Sequence, residues 1–400
     1  MIFQKYPKNF WIISVALFFF IVSFNMVIPE LNDYISGLHE SGEDLKGLII
    51  FLFSLSAAIS RPFSGKLSDN IGRKKVMLIG ASVGVIICLS YPISGLISDS
   101  GATLFGISVF LSFRFLHGLS AGFLPTGATA LVTDILHPSQ RSVGMGIWGT
   151  FISAGFGAGQ ILADPLTDAF GINSLFFVSG FFALIAFGCL LYIEETLPNP
   201  LRYQPAFVKV RWNDIFEPPV MPAATVMFLT TISTGIVFVI AQEISKSLGV
   251  NKGLFFGFYV FSTIGVRLFA SKLSDVIGRR KALLIGVTFM CLSMILVSLS
   301  AASLGLFIIS AIVFGLSTGV NSPTIMAWTA DLSADNRRGI GAGTLFIALE
   351  IGIMVGSIST VFTYDNTMAS IPRTVLFGAF FCIVAIAYLF WHLRYRDSVT

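Results

Sequence analysis

Charge is what this chain has least of. Asp, Glu, Lys and Arg make up 12% of its 400 residues, about half the share of an ordinary soluble domain. No basic face exists on which nucleic acid would bind, so no nucleic-acid partner is expected. Cysteine is also scarce. Cys88, Cys189, Cys291 and Cys382 all lie inside apolar runs, where small buried hydrophobes are expected rather than a disulfide framework or a metal site. The sequence contains no Gly-rich nucleotide loop, no His-Glu-x-x-His and no serine with a histidine partner at informative spacing. Those absences argue against an enzyme, a cofactor and a bound metal.

What the chain has is long apolar runs. It is 55% hydrophobic, with a mean hydropathy of +0.85. The runs are about 20 residues long, enough to cross a ~30 Å hydrocarbon layer as a helix. Twelve spans are expected, at roughly 10–30, 45–65, 76–97, 102–135, 142–163, 173–193, 219–241, 253–271, 282–301, 304–333, 339–363 and 372–393. Basic residues precede the first run, but no small-residue cleavage site follows it, so it reads as an uncleaved span. The proline-rich, charged stretch from Glu194 to Pro219 divides the spans six and six. The expected organisation is an N-terminal half at 1–193, a linker at 194–218 and a C-terminal half at 219–400.

Basic residues assign the sides. With both termini in the cytoplasm, that side holds the Arg73-Lys74-Lys75 and Arg279-Arg280-Lys281 clusters and most other Lys and Arg, whereas the outer loops receive only Lys46, Lys246, Lys252 and Arg373. Such a bias sets orientation in membranes. The expectation is a multi-pass protein of a cell membrane, a bacterial inner membrane, with the lipid bilayer around it and no partner chain.

The halves repeat each other. "SGKLSDNIGRKKVMLIG" from Ser64 returns as "SKLSDVIGRRKALLIG" from Ser271. Asp134 and Arg141 match Asp331 and Arg338, and Gly118, Gly122, Gly155 and Gly159 match Gly315, Gly319, Gly352 and Gly356 at one offset. Two halves on one plan suit a site between repeats and alternating access.

The hinge between the second and third spans, with Gly65, Leu67, Asp69, Gly72, Arg73, Lys74 and Lys75, resembles the signature loop of the major facilitator superfamily. Its second copy keeps Asp275, Gly278, Arg279, Arg280 and Lys281 but has Ser271 in place of the first glycine. Within that superfamily the chain is similar to the twelve-helix drug:proton antiporters. "LSFRFLHGLSAG" is similar to their Arg-x-x-Gln-Gly pattern with His117 for glutamine. "GIWGTFISAGFGAGQ" is similar to their glycine pattern with Gln160 where proline usually follows. The resemblance implies an all-α fold of twelve transmembrane helices in two pseudo-symmetric six-helix halves. It also implies a conformational latch at the cytoplasmic ends, with Asp69 near the start of the eleventh helix, Arg73 facing Asp134, and Arg279 and Asp331 in the second half. Alternatively, the basic clusters serve topology alone.

Three ionisable residues stand inside spans as candidates. Arg114 lies deep in the fourth, where an isolated charge costs at least ~2.5 kcal/mol and so faces water or a partner; a structural arginine bonded to backbone carbonyls is the other reading. His117 lies one turn on, on the same face, and by itself suits packing as well as proton transfer. Glu350 is the only acid deep in any span, where water is not at hand to stabilise its charge. It is the candidate for proton coupling, for contact with a cationic substrate, or for an ion pair with Arg114. Asn25, Gln160, Gln242 and Asn321 are further polar candidates for substrate. Glu30 and Glu243 lie near outer helix ends, where solvation is expected. Gly118, Gly122, Gly155, Gly159, Gly352 and Gly356 suit close helix packing.

The expected function is secondary active transport, a proton gradient moving amphipathic or drug-like small molecules outward. The alternative is a carrier of one metabolite, such as a sugar, an organic acid or a siderophore-like compound, in either direction. The midplane offers mainly Asn25 and Gln242 to a sugar, which argues mildly against that substrate.

Overall fold

The computed structural model describes residues 6–136, 141–211, 215–269, 273–333 and 338–396. Each apolar run forms a helix, because a backbone in hydrocarbon has only its own chain to satisfy its polar groups. The first six are α1 (Lys8–Leu38), α2 (Lys46–Ile71), α3 (Arg73–Asp99), α4 (Thr103–Ile135), α5 (Arg141–Phe170) and α6 (Ile172–Leu191). The second six are α7 (Met221–Ser247), α8 (Leu254–Phe269), α9 (Arg279–Ser298), α10 (Leu304–Leu332), α11 (Arg338–Thr363) and α12 (Ile371–Arg396), with one helical turn at Leu273–Ile277 before α9. Ten are long and apolar enough to cross a membrane among the described residues. Of the other two, α5 is diluted by glycines and the described part of α8 is short.

The chain forms two compact units, residues 1–42 with 52–214 and residues 43–51 with 215–400. The same plan runs through both. In the first, α1 packs on α5 and α6, and α3 on α4 and α6. In the second, α7 packs on α11 and α12, and α9 on α10 and α12. This is the twelve-helix architecture, in two matching halves, that the repeated hinge implies. Ile86, Phe181, Phe261 and Phe380 are exposed on outer helix faces, as contact with lipid tails requires.

Two boundaries differ from the sequence expectation. Helix α1 does not stop near Pro29 but continues to Leu38 with that proline inside. A proline removes one helix hydrogen bond without ending a helix whose far turns are packed, and Glu30, Asn32 and Ile35 are all buried. The linker is not a free tether either. Its first part belongs to unit 1, where Leu201 N–H donates to Asn70 O at 2.8 Å. Lys66 Nζ donates to Lys209 O at 2.6 Å, and Phe207 covers Leu67, Ile71 and Val76. Its last part belongs to unit 2, where Glu217 N–H donates to Thr344 Oγ1 of α11 at 2.9 Å.

Candidate functional site

The interior of unit 1 carries a chain of polar groups across α4, α3, α6 and α1. Arg114, fully buried, donates from Nη1 to Tyr91 Oη at 3.2 Å, and its guanidinium carbon stands 4.7 Å from the centre of the Phe53 ring. Tyr91 Oη is 3.0 Å from His117 Nδ1, with Arg114 Nη1 at 3.5 Å from the same nitrogen. A guanidinium only donates, so Nδ1 is assigned as the acceptor and Nε2 carries the hydrogen, 3.7 Å from Cys88 Sγ. Ser179 Oγ meets Cys88 Sγ at 3.2 Å. The Ser23 and Ser179 hydroxyls each donate to the other's backbone carbonyl at 2.8 Å. Arg114 and His117 are thus brought together, as their spacing predicts. Tyr91, Cys88, Ser23 and Ser179 also belong to this chain, and no motif singles them out, because each is an ordinary residue of an apolar helix.

At the hinge, Arg73 meets the expected Asp134 and, in addition, Asp69. Its Nη1 is 2.8 Å from Asp69 Oδ1, its Nε is 3.2 Å from Asp134 Oδ2, and Nη1 also donates to Ser68 O at 2.6 Å. Asp69 itself is largely exposed. The unexpected member is Glu195, at the start of the linker. Its Oε1 accepts the backbone N–H of Arg73 at 3.0 Å, and its Oε2 that of Lys74 at 3.1 Å. The same carboxylate takes the N–H groups of Thr196 and Leu197, each at 3.0 Å, while Thr196 Oγ1 donates to Asp134 Oδ2 at 2.8 Å. A carboxylate over the first turn of α3 satisfies orphan donors and suits the positive end of the helix. Gly72 makes room for it. Its φ is +116°, and a Cβ there would run into Glu195; only glycine suits both conditions.

The second hinge keeps the arginine. Arg279 Nε is 3.0 Å from Asp331 Oδ2, and Nη1 donates to Ser274 Oγ at 2.8 Å. A Cβ at Gly278, with φ +88°, would meet nothing within 4 Å among the described residues, as is also true at Gly65. Ser271, Lys272 and Arg337 lie outside the described residues, as do the side chains of Asp275, Arg141 and Arg338.

Unit 2 holds Glu350, buried at 5% exposure midway along α11. Glu30 and Glu243, expected at solvated helix ends, are buried instead. Glu243 Oε1 is 3.3 Å from Lys46 Nζ, and the same ammonium is 2.7 Å from Glu43 Oε2. Two acids around one buried cation explain why Glu243 tolerates its burial.

The four amides share a common state. Asn25 Nδ2 donates to Ile21 O at 2.9 Å, Gln242 Nε2 to Phe238 O at 2.9 Å and Asn321 Nδ2 to Ser317 Oγ at 3.1 Å. All four are buried. The oxygens of Asn25, Gln242 and Asn321 and both polar atoms of Gln160 have no hydrogen-bond partner among the described residues. The paired glycines mark close crossings. At Gly155 and Gly159 a Cβ would press on the α1 backbone at Phe18 and Val22, and at Gly352 and Gly356 on the α7 backbone at Phe228 and Ile232. Gly118 stands in the same way against the α2 backbone at Phe53, and Gly122 against the Ser60 side chain of α2.

The chain is 32% identical over 203 residues to Multidrug resistance protein 2 of Bacillus subtilis (strain 168), covering 49% of this chain and 47% of that one. It is 24% identical over 418 residues to the multi-drug resistance efflux pump PmrA homolog of Lactococcus lactis, covering 98% and 96%. Against the quinolone resistance protein NorA of Staphylococcus aureus it is 24% identical over 233 residues, 57% of each chain. It thus spans about half the length of the first and third of these and nearly all of the second. Among solved structures, the human organic anion transporter MFSD10 (TETRAN) superposes with a TM-score of 0.72 at 16% identity, over 96% of this chain and 100% of that one, a likeness of fold. The family model for the Major Facilitator Superfamily matches residues 10–266 and 223–400. Between them these matches reach from the first helix to the C-terminus, and the chain belongs to the Major Facilitator Superfamily.

Proposed function

We propose that this protein is a secondary active transporter that exports amphipathic small molecules in exchange for protons, by alternating access of its two repeated halves. The observation that carries the reading is Glu350, a carboxyl group buried in the apolar middle of α11. A buried acid in a spanning helix is a functional group by default, because placing a carboxyl group in a hydrocarbon layer is costly. The full-length likeness to a chain named as a multi-drug resistance efflux pump supports the export direction and the breadth of substrate. The energy source is the proton gradient, with no cofactor, and the protein works as a monomer in a cell membrane with both termini in the cytoplasm.

The two hinges fit such a cycle. Arg73 with Asp69 and Asp134, and Arg279 with Asp331, are charged clusters at helix ends. Contacts of that kind bias a two-state equilibrium when they differ between the states. The test is purified protein in proteoliposomes with an imposed pH gradient. Amphipathic cations, neutral amphiphiles, sugars and organic acids are offered in turn. Uphill movement of an amphiphile that collapses with a protonophore is expected. Movement of a sugar or an organic acid alone would favour a single-metabolite carrier, and movement unaffected by the protonophore would remove proton coupling.

A further inference from the structure

The linker has two unlike faces where it lies along the hinge of unit 1. On the inner face, Leu201 N–H donates to Asn70 O at 2.8 Å, and Lys66 Nζ donates to Lys209 O at 2.6 Å. Phe207 packs on the cluster of Leu67, Ile71 and Val76. What remains outside is basic and amphipathic. Arg202, Lys209 and Arg211 are exposed, and so are Leu201 at 49% and Tyr203 at 59%. Residues 196–211 contain no Asp or Glu to balance those cations. Of the acids at the hinge, Asp69 and Asp134 serve Arg73, and Glu195 serves backbone N–H groups. Glu194, before this stretch, is the one exposed acid of the linker among the described residues.

The same contacts fix the depth of the strap in the membrane. Phe63 ends the apolar run of α2, and Val76 begins that of α3 directly after Arg73-Lys74-Lys75. Those two residues mark the edge of the hydrocarbon layer. Phe207, packed on a cluster that contains Val76, lies at that edge. Lys66 and Asn70 follow Phe63 by three and seven residues, roughly 5 and 10 Å along a helix. The headgroup layer is about 5–7 Å deep on each side of a bilayer. A strap bonded to Lys66 and Asn70 therefore runs through that layer to its margin with water. Tyrosine is favoured at this level, and each Lys or Arg there is drawn to an anionic surface.

We infer that residues 196–211 form a docking surface for anionic phospholipid, with Arg202, Lys209 and Arg211 seating the phosphates and Leu201 and Tyr203 entering the headgroup layer. Charge and depth select this partner together. A soluble acidic protein or a nucleic acid would suit the cations, but not a leucine and a tyrosine held at the level of the headgroups. Because the strap rests on the hinge by its other face, the surface joins the charge of the leaflet to the hinge. It holds whatever the protein transports.

The test places the photoreactive residue p-benzoylphenylalanine at position 203 of the full chain, in nanodiscs of equal phosphatidylglycerol and phosphatidylcholine. Irradiation followed by mass spectrometry identifies the lipid attached. Attraction by one or two cations makes the phosphatidylglycerol adduct roughly 5- to 30-fold the more abundant. Combining Arg202→Gln, Lys209→Gln and Arg211→Gln makes the two adducts equal, and thermal unfolding confirms that the variant is folded. Arg202→Gln alone, a milder change, removes part of the excess. Soluble glycerol phosphate leaves the excess as it is. Equal adducts in the wild type, no lipid adduct at all, an excess retained in the triple variant, or an excess abolished by glycerol phosphate overturns the inference.

Discussion

Replacing Glu195 by alanine isolates the contact between linker and hinge. The side chain accepts four backbone N–H groups, two from the first turn of α3 and two from its own loop. Losing a helix cap costs about 0.5–2 kcal/mol, and removing a negative charge from a helix N-terminus adds roughly 0.3–1 kcal/mol. The donors are only partly buried, so water recovers some of this, and about 1–2 kcal/mol is the expected local loss. That corresponds to a roughly 5- to 30-fold rise in the open population of the hinge. Glutamine at 195 keeps the oxygen that serves Arg73, Thr196 and Leu197 and should lose less. Hydrogen exchange in nanodiscs reads the effect peptide by peptide. Residues 73–76 and 195–201 should exchange faster in Glu195→Ala, with Glu195→Gln between it and the wild type, while the middle of α1 is unchanged. Unaltered exchange at both segments, or an equal rise along the whole chain, would refute the reasoning.

Other consequences follow from the ion pairs. Lys46 and Glu243 have side chains only 5% and 8% exposed, and breaking a buried pair costs about 3–5 kcal/mol. Lys46→Met and Glu243→Gln should each lower the unfolding temperature markedly, and the double variant should lose less than the sum of the two, as an unfolding series will show. Asp365 is held below the usual carboxylate range mainly by the Thr367 hydroxyl, which donates at 2.5 Å. Its folded value lies below the unfolded value of about 3.9, so its contribution is complete above that pH and vanishes as pH falls through the folded value. Amides of residues 365–370 should therefore keep their protection from pH 7 to about 5 and lose it only in stronger acid, and Asp365→Asn should remove that acid dependence.

The helices and the six-and-six division were legible because each rests on a local run of apolar residues. The pairing of Arg73 with Asp134 was expected from the resemblance of the hinge to the family's signature loop, and the geometry agrees. Glu195 was not, since its bonds to Arg73 and Lys74 reach back more than a hundred residues from a loop with no periodicity. The burial of Glu243 was hidden for the same reason, its lysine lying in a distant helix. Tyr91 and Cys88 carry no functional signal of their own, because an isolated Tyr or Cys in an apolar helix looks like packing until His117 is placed between them. Helix α1 runs beyond the expected span at 10–30 because packing of its last turns, which no local pattern shows, decides its length. Asn25 and Gln160 were visible only as polar letters, and their unmet state belongs to the packed structure alone.

The central claim is that Glu350 couples protons to substrate, and one pair of assays on Glu350→Gln tests it most directly. The glutamine resembles the protonated acid and cannot cycle between two charge states. In vesicles loaded with a transported amphiphile, the variant should fail to concentrate substrate under an imposed pH gradient. In the same vesicles without a gradient, it should still exchange labelled for unlabelled substrate. That split, accumulation lost and exchange kept, is the predicted result. Accumulation against a gradient by the glutamine variant at the wild-type level would contradict the account.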